Sequence, residues 1–265
     1  MSDKTPVPAK PASTVLLVRD KPDGLEVFMV VRHHQIDFAS GALVFPGGKV
    51  DEADCHPSLR AKCTGVDSVD DTMLSIQISA IREMFEEAGV LLARENGNDS
   101  LISAGRLREL EDYRDKLQNG DVDMLTFVEQ ENLTIACDQL HRFAHWITPN
   151  MMPKRFDTHF FLARAPEDHL AVHDGSESVD SIWISPQQAI EEADAGKRTI
   201  IFPTRLNVLK LGRSKTFDEA VANNPEDSVV TVLPVMEKRG EKSVLKIPPE
   251  AGYDVSEQIF DGRPA

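Results

Sequence analysis

Three glutamates and an arginine crowd into the stretch Ala80-Ile81-Arg82-Glu83-Met84-Phe85-Glu86-Glu87-Ala88-Gly89-Val90. At about 100° per residue, Glu83, Glu86 and Glu87 fall within one sector of a helix, while Ile81, Met84, Phe85, Ala88 and Leu92 take the opposite side. Like charges at i, i+3 and i+4 repel, weakening a helix by roughly a few tenths of a kcal/mol per pair. One outcome of such a pattern is a solvated acidic face, common in a chain this acidic. The other is that divalent cations offset the repulsion, since hard oxygen donors at this density suit Mg²⁺ or Mn²⁺.

The loop upstream favours the second. Phe45-Pro46-Gly47-Gly48-Lys49-Val50-Asp51 carries paired glycines, which let backbone approach a metal or phosphate closely. Together the two segments resemble the Nudix box: Gly, five residues, Glu, seven residues, then Arg-Glu-apolar-x-Glu-Glu-x-Gly-apolar. Gly48 and Arg82 to Val90 fit it at every specified position. The first Glu of the box falls on Asp54, with Glu52 and Asp51 as competitors, and residues 55 to 81 fill a spacer where the pattern has seven residues. An insertion of this kind need not disassemble the motif, because closure entropy grows only logarithmically with loop length.

The resemblance implies a set of roles. Glu83, Glu86 and Glu87, with the carbonyl of Gly47 or Gly48, hold one to three Mg²⁺ or Mn²⁺ ions, which neutralise a diphosphate and activate water. Arg82 orients a glutamate by ion pairing. A fourth carboxylate, Glu177 with Asp180 as the alternative, comes from a loop before the strand SIWIS, and the general base is one of Glu83, Glu86 and Glu177. Lys49, in the glycine loop, joins the substrate-binding candidates.

Residues 143 to 164 combine a strand pattern with a turn carrying Pro149, Pro153, Lys154 and Arg155. An arginine held there can fork onto a phosphate, with Lys154 beside it. Trp146 can stack on a base, although a Trp in a strand is also a common core residue. The split box, Gly41 to Gly48 before it, and His145-Trp146-Ile147-Thr148-Pro149 leading to Pro153-Lys154-Arg155-Phe156-Asp157-Thr158 after it are similar to the mammalian peroxisomal coenzyme A diphosphatase branch, over roughly residues 12 to 212. That likeness implies coenzyme A or an acyl-coenzyme A as substrate, with 3′,5′-ADP and 4′-phosphopantetheine as products. Hydrolysis of ADP-ribose or a dinucleotide is the rival within the same chemistry. A non-catalytic nucleotide-binding module is the rival outside it, disfavoured by the retention of all three glutamates.

The elements needed to position these residues are legible in outline. Residues 13 to 19 and 25 to 32 read as a hairpin around Asp20-Lys21-Pro22-Asp23-Gly24, and Ala42 to Phe45 as a short strand entering the glycine loop. Helical patterns cover about 72 to 93, 100 to 117, 123 to 131, 186 to 195 and 203 to 211, with Asp70, Asp71 or Thr72 capping the first and Asn96-Gly97 stopping it. Strands are expected at 140 to 148, 159 to 164, 181 to 185, 228 to 236 and 243 to 247. This order predicts an α/β or α+β fold, a mixed sheet between helices, rather than a doubly wound parallel sheet.

In domain terms the expectation is a disordered leader at 1–11 and a catalytic domain at 12–212, with insertions near 55–72 and 100–132. A C-terminal β extension at 213–265 then packs on the domain or on a partner subunit. The formal charge of −15 argues against a nucleic-acid polymer as partner. No run reaches the roughly 18 to 20 apolar residues of a membrane span, and the polar, proline-rich start lacks a secretory stretch, so a cytoplasmic protein with no membrane partner is expected. Cys55, Cys63 and Cys137 form no Cys-x-x-Cys pair and read as reduced thiols, and Cys55, His56 and Cys63 match no common zinc spacing. Edge strands in the last 50 or so residues favour a homodimer.

Overall fold

The computed structural model describes residues 6–32, 41–169, 171 and 178–260. Two long apolar strands, β1 (Lys10–Lys21) and β2 (Gly24–Arg32), pair antiparallel through the expected turn, where Gly24 takes φ 127°. β1 begins at Lys10, inside the segment expected to be a disordered leader: its first residues pair in parallel with β7 (Phe156–Arg164), so their backbone groups are already satisfied. Beyond Val18 and Val27 the two strands part, and β3 (Leu43–Val44) pairs with Val30 and Val31 of β2 in the gap. Two turns of 3₁₀ helix, Glu52–Cys55 and Pro57–Lys62, fill the insertion, and α1 (Asp71–Ala88) follows.

Asp70 caps α1 by accepting from the backbone N–H of Met73. The helix ends at Gly89, in the left-handed conformation (φ 65°), short of the 93 expected from the pattern. Val90, Leu91 and Leu92 continue the apolar run as buried coil into β4 (Ala93–Glu95), which explains the over-extension: burial alone kept the helical signal going. The stretch expected as one helix over 100–117 is two, α2 (Ala104–Glu109) and α3 (Asp112–Gln118), followed by α4 (Met124–Gln130) and β5 (Leu133–Ile135), the partner of β4. Then come β6 (His141–Ile147), β7, β8 (Ser178–Ile184), α5 (Pro186–Asp194) and α6 (Phe202–Leu211).

The C-terminal part holds more than the two expected strands: α7 (Phe217–Ala222), β9 (Thr231–Val232), β10 (Val235–Arg239), β11 (Lys242–Lys246) and β12 (Glu257–Phe260). Its elements are short and largely polar, which leaves little periodic signal. β10, β11 and β12 make a small antiparallel sheet of their own.

The central sheet runs β3-β2-β1-β7-β6-β9, with β8 pairing β2 on the edge away from β1. It is mixed: β1 with β7 and β6 with β9 are parallel, and the other pairs are antiparallel. Because side chains alternate along a strand, each face builds its own core. Val15, Leu17 and Phe161 face α1 and the helices after it, whereas Leu16, Val18, Phe160 and Leu162 face α5, α6 and α7. This is the α+β sandwich that the element order predicts. No helix among the described residues is long and apolar enough to cross a membrane.

Candidate active site

The glycine loop is fixed by the gap in the sheet. Where β2 leaves β1, residues 46 to 50 run antiparallel along β1 instead: Val15 N donates to Pro46 O, Ser13 N to Gly48 O and Val50 N to Pro11 O, at 2.9 to 3.1 Å. Gly47 takes φ 153°, and a Cβ there would lie 2.2 Å from Ser13 O. Only glycine lets the loop lie this close to the strand. A Cβ on Gly48 would fall 2.3 Å from Glu83 Oε1, so the loop backbone also abuts the carboxylate on α1.

α1 packs its apolar side, including Ile81, Met84, Phe85 and Ala88, into the core and turns its charged sector to this loop. That sector is not a solvated acidic face: Glu86 is 6% exposed and Glu87 is buried. Glu87 Oε2 accepts from Gly47 N at 2.8 Å. Arg82 is the hub. Its Nε and one terminal nitrogen form a fork onto Asp54 at 3.0 and 2.9 Å, and that second nitrogen also donates to Lys49 O at 3.0 Å. The other terminal nitrogen reaches Glu83 at 3.1 Å and Glu86 at 3.2 Å.

Asp54, the residue aligned with the first acidic position of the box, is thus the buried partner of Arg82. It is 2% exposed, and its carboxylate also accepts from Asp51 N at 2.9 Å. Asp51 is exposed and stands 3.7 Å from Arg82, and Glu52 is exposed. The insertion therefore leaves from a residue clamped onto α1, and its bulk lies outside the cluster.

One guanidinium faces Asp54, Glu83 and Glu86, and the balance shows in their proton affinities. Burial alone lowers the pKa of Arg82, but the hydrogen bond to Asp54 and the charges of Glu83, Asp54 and Glu86 outweigh it and raise it. Burial is the largest influence on Glu86 and pushes its pKa up to about 7; Arg82 pulls it down, and Asp54 and Asp51 push it further up. A largely buried group of carboxylates, lined by backbone of a glycine loop, is a donor set that fits a hard divalent cation.

Ser13 and Ser79, which the sequence reading passed over, tie the parts together. Ser13 Oγ donates to Ser79 Oγ at 3.1 Å, and Ser79 Oγ donates to Lys49 O at 3.1 Å. Both are fully buried, and a serine amid the apolar positions of the helix was the signal that could have pointed to them.

The remaining candidates are distributed differently. The side chain of Lys49 is exposed at the loop, as is that of Lys154 in the turn after β6. Arg155 is buried and directs its guanidinium to backbone, with Nε to Thr148 O at 3.0 Å and a terminal nitrogen to Val7 O at 2.6 Å; here it anchors the start of β1 rather than facing the glutamates. Trp146 belongs to the core on the sheet face opposite α1, and its Nε1 donates to Tyr253 OH at 2.8 Å. The structure does not bring it to the carboxylate site. The carbonyl of Gly48 accepts from Ser13 N. Glu177 lies outside the described residues, and Asp180 is exposed in β8.

A model of the NUDT19 Nudix domain matches residues 60–211, more than half of the chain. A Caenorhabditis elegans protein named putative nudix hydrolase 7 is 29% identical over 192 residues, covering 72% of this chain and 57% of that protein. The human acyl-coenzyme A diphosphatase NUDT19 is 27% identical over 208 residues, covering 64% of this chain and 56% of its own. The chain therefore spans about half the length of these curated relatives. A crystal structure of a NUDIX hydrolase from Alicyclobacillus acidocaldarius superposes with a TM-score of 0.65 at 24% identity, over 82% of this chain and 96% of that one, which shows a shared fold. With the match spanning α1 and Arg82, Glu83, Glu86 and Glu87 converging on a glycine loop, this chain belongs to the Nudix family, in its NUDT19 branch.

Proposed function

We propose that the protein hydrolyses the phosphoanhydride bond of a nucleoside diphosphate linked to another moiety. The substrate we assign is coenzyme A or an acyl-coenzyme A, split into 3′,5′-ADP and 4′-phosphopantetheine or its acyl form. The observation that carries the chemistry is the gathering of Glu83, Glu86 and Glu87 against the Gly47-Gly48 backbone, with Arg82 bonded to Glu83 and Glu86. The choice of substrate rests on likeness to proteins named acyl-coenzyme A diphosphatase.

Glu83, Glu86 and Glu87, with backbone carbonyl of the Gly47-Gly48 loop, would hold Mg²⁺ or Mn²⁺. Such a cation supplies charge neutralisation of the diphosphate and a water acidic enough to attack phosphorus. The protein contributes the rest. Glu87 is held by the Gly47 N–H and locks helix to loop. Arg82 fixes the orientation of Glu83 and Glu86. One of Glu83, Glu86 and Glu177 would accept the proton of the attacking water. Lys49 and Lys154, both exposed, would contact the substrate phosphates.

The test is a panel of coenzyme A, acetyl-coenzyme A, ADP-ribose, NADH and diadenosine polyphosphates with Mg²⁺ or Mn²⁺, comparing wild type with Glu86→Gln. Metal-dependent release of 3′,5′-ADP from coenzyme A, reduced by at least about 100-fold in the variant, supports the reading. Preferred turnover of ADP-ribose overturns the substrate and keeps the chemistry. Tight nucleotide binding without any turnover overturns the chemistry as well.

A further inference from the structure

A second group of ligand-type side chains lies on the α1 face of the sheet, on β6 and β7. In the antiparallel pair of β6 and β7, His145 stands directly opposite His159, and Asp157 lies two residues before His159 on the same face. In the parallel pair of β1 and β7, His159 is level with Ser13, whose hydroxyl reaches α1. The two imidazoles stack with centroids 3.9 Å apart and planes 18° apart. One ligand atom from each of His145, Asp157 and His159 can be chosen so that all lie within 4.8 Å of one another.

We propose that His145, Asp157 and His159 form a binding site for a transition-metal dication of the Zn²⁺ or Co²⁺ type, distinct from the carboxylate site on α1. Two imidazoles with one carboxylate are the donors such ions select, whereas Mg²⁺ and Ca²⁺ prefer oxygen alone. A metal lies in the plane of each imidazole it binds, at about 2.0 to 2.1 Å from nitrogen, so the two stacked rings must turn out of their stack for both to meet one ion.

Hydrogen bonding singles out the same residues. His159 is 9% exposed, and its ring makes no hydrogen bond among the described residues. Its nitrogens are therefore not committed to a protein partner there and can bind a metal. His145 Nε2 meets Asp157 Oδ1, and its Nδ1 lies 2.8 Å from Thr231 Oγ1 of β9. With Nε2 on a metal, Nδ1–H donates to Thr231, the outer contact that fixes tautomer and ring orientation in histidine metal sites. The side chain of Asp157 is 37% exposed, so the site opens to solvent and leaves a coordination position for water or a small ligand. All three ligands sit on paired strands, whose backbone pre-orders them.

The proposal does not depend on hydrolysis, and binding tests it. The full chain is titrated with Co²⁺ in excess Mg²⁺, following visible absorption for nitrogen ligation, and with Zn²⁺ by calorimetry. A Glu83→Gln/Glu86→Gln double variant, in which the α1 site is disabled, serves as a second background. The expected result is one equivalent bound in both backgrounds, with the Co²⁺ bands abolished by His145→Phe and by His159→Phe. Asp157→Asn and Thr231→Val should weaken binding by about 10- to 100-fold. His145 is the more exposed of the two histidines, so its variant decides the matter if His159→Phe fails to fold. Equal uptake by wild type and His145→Phe, or no uptake by the double variant, overturns the site.

Discussion

At the scale of single residues, Glu86 is held against its own preference. Its folded pKa of about 7 lies above the usual carboxylate value, so its contribution to stability is present at low pH and is lost as pH rises through about 7. In metal-free protein at pH 8, Glu86→Gln should therefore be more stable than wild type, by on the order of 1 to 3 kcal/mol, while losing turnover. Thermal unfolding at pH 5 and pH 8 in chelator checks the sign: the gap should shrink toward pH 5. Arg82 behaves oppositely. Arg82→Ala removes the guanidinium bonded to the buried carboxylates of Asp54 and Glu86, an expected loss of about 3 to 5 kcal/mol, and Arg82→Lys restores little because the fork onto Asp54 is gone. Denaturant melts of both variants measure this. That Glu83, Glu86 and Glu87 share one sector of α1 was readable because helix periodicity is local. Asp54 was not secure in the sequence, since the spacer blurs which acid meets Arg82; only the folded insertion brings Asp54 to it and leaves Asp51 and Glu52 exposed.

Elements explain where the sequence fell short. Strand patterns around Trp146 and Arg155 were legible, but the face each side chain takes depends on pairing register, and β6 shifts register between Arg142 and Ala144. The irregularity hides from sequence spacing which β6 residues share the α1 face, and with it the meeting of His145 and Asp157. The loop between β3 and α1 offers a sharper test of element-level reasoning. Gly47→Ala forces a Cβ against Ser13 backbone at a positive φ, and should cost about 2 to 4 kcal/mol in a melt. Gly48→Ala meets only the end of the Glu83 side chain, which can swing away. Its stability should change by less than about 1 kcal/mol while turnover falls by at least about 10-fold, because the displaced group is the carboxylate itself. Similar losses of stability in the two variants would contradict the geometry.

For the whole molecule, residues after 212 complete the second core. Phe217, Val232 and Ile247 are buried in it, β9 closes the sheet beside β6, and Tyr253 OH joins Trp146 to Asn207 at 2.8 Å on each side. Each such apolar side chain is worth about 1.5 to 3 kcal/mol, against a total of about 5 to 15 kcal/mol for a domain. A chain ending at 212 should consequently lack a cooperative thermal transition, which calorimetry will show. The sequence hinted at strands here, but short polar elements reveal little about what they cover. The bond between Trp146 and Tyr253 also carries an optical consequence. The chain has two tryptophans: Trp146 reports whether the C-terminal segment is seated, while Trp183 lies under the Arg19 guanidinium, in the strand that follows the segment bearing Glu177. Their intrinsic fluorescence, separated by Trp183→Phe and Trp146→Phe, gives two independent emission signals, one for docking of the extension and one for events at β8.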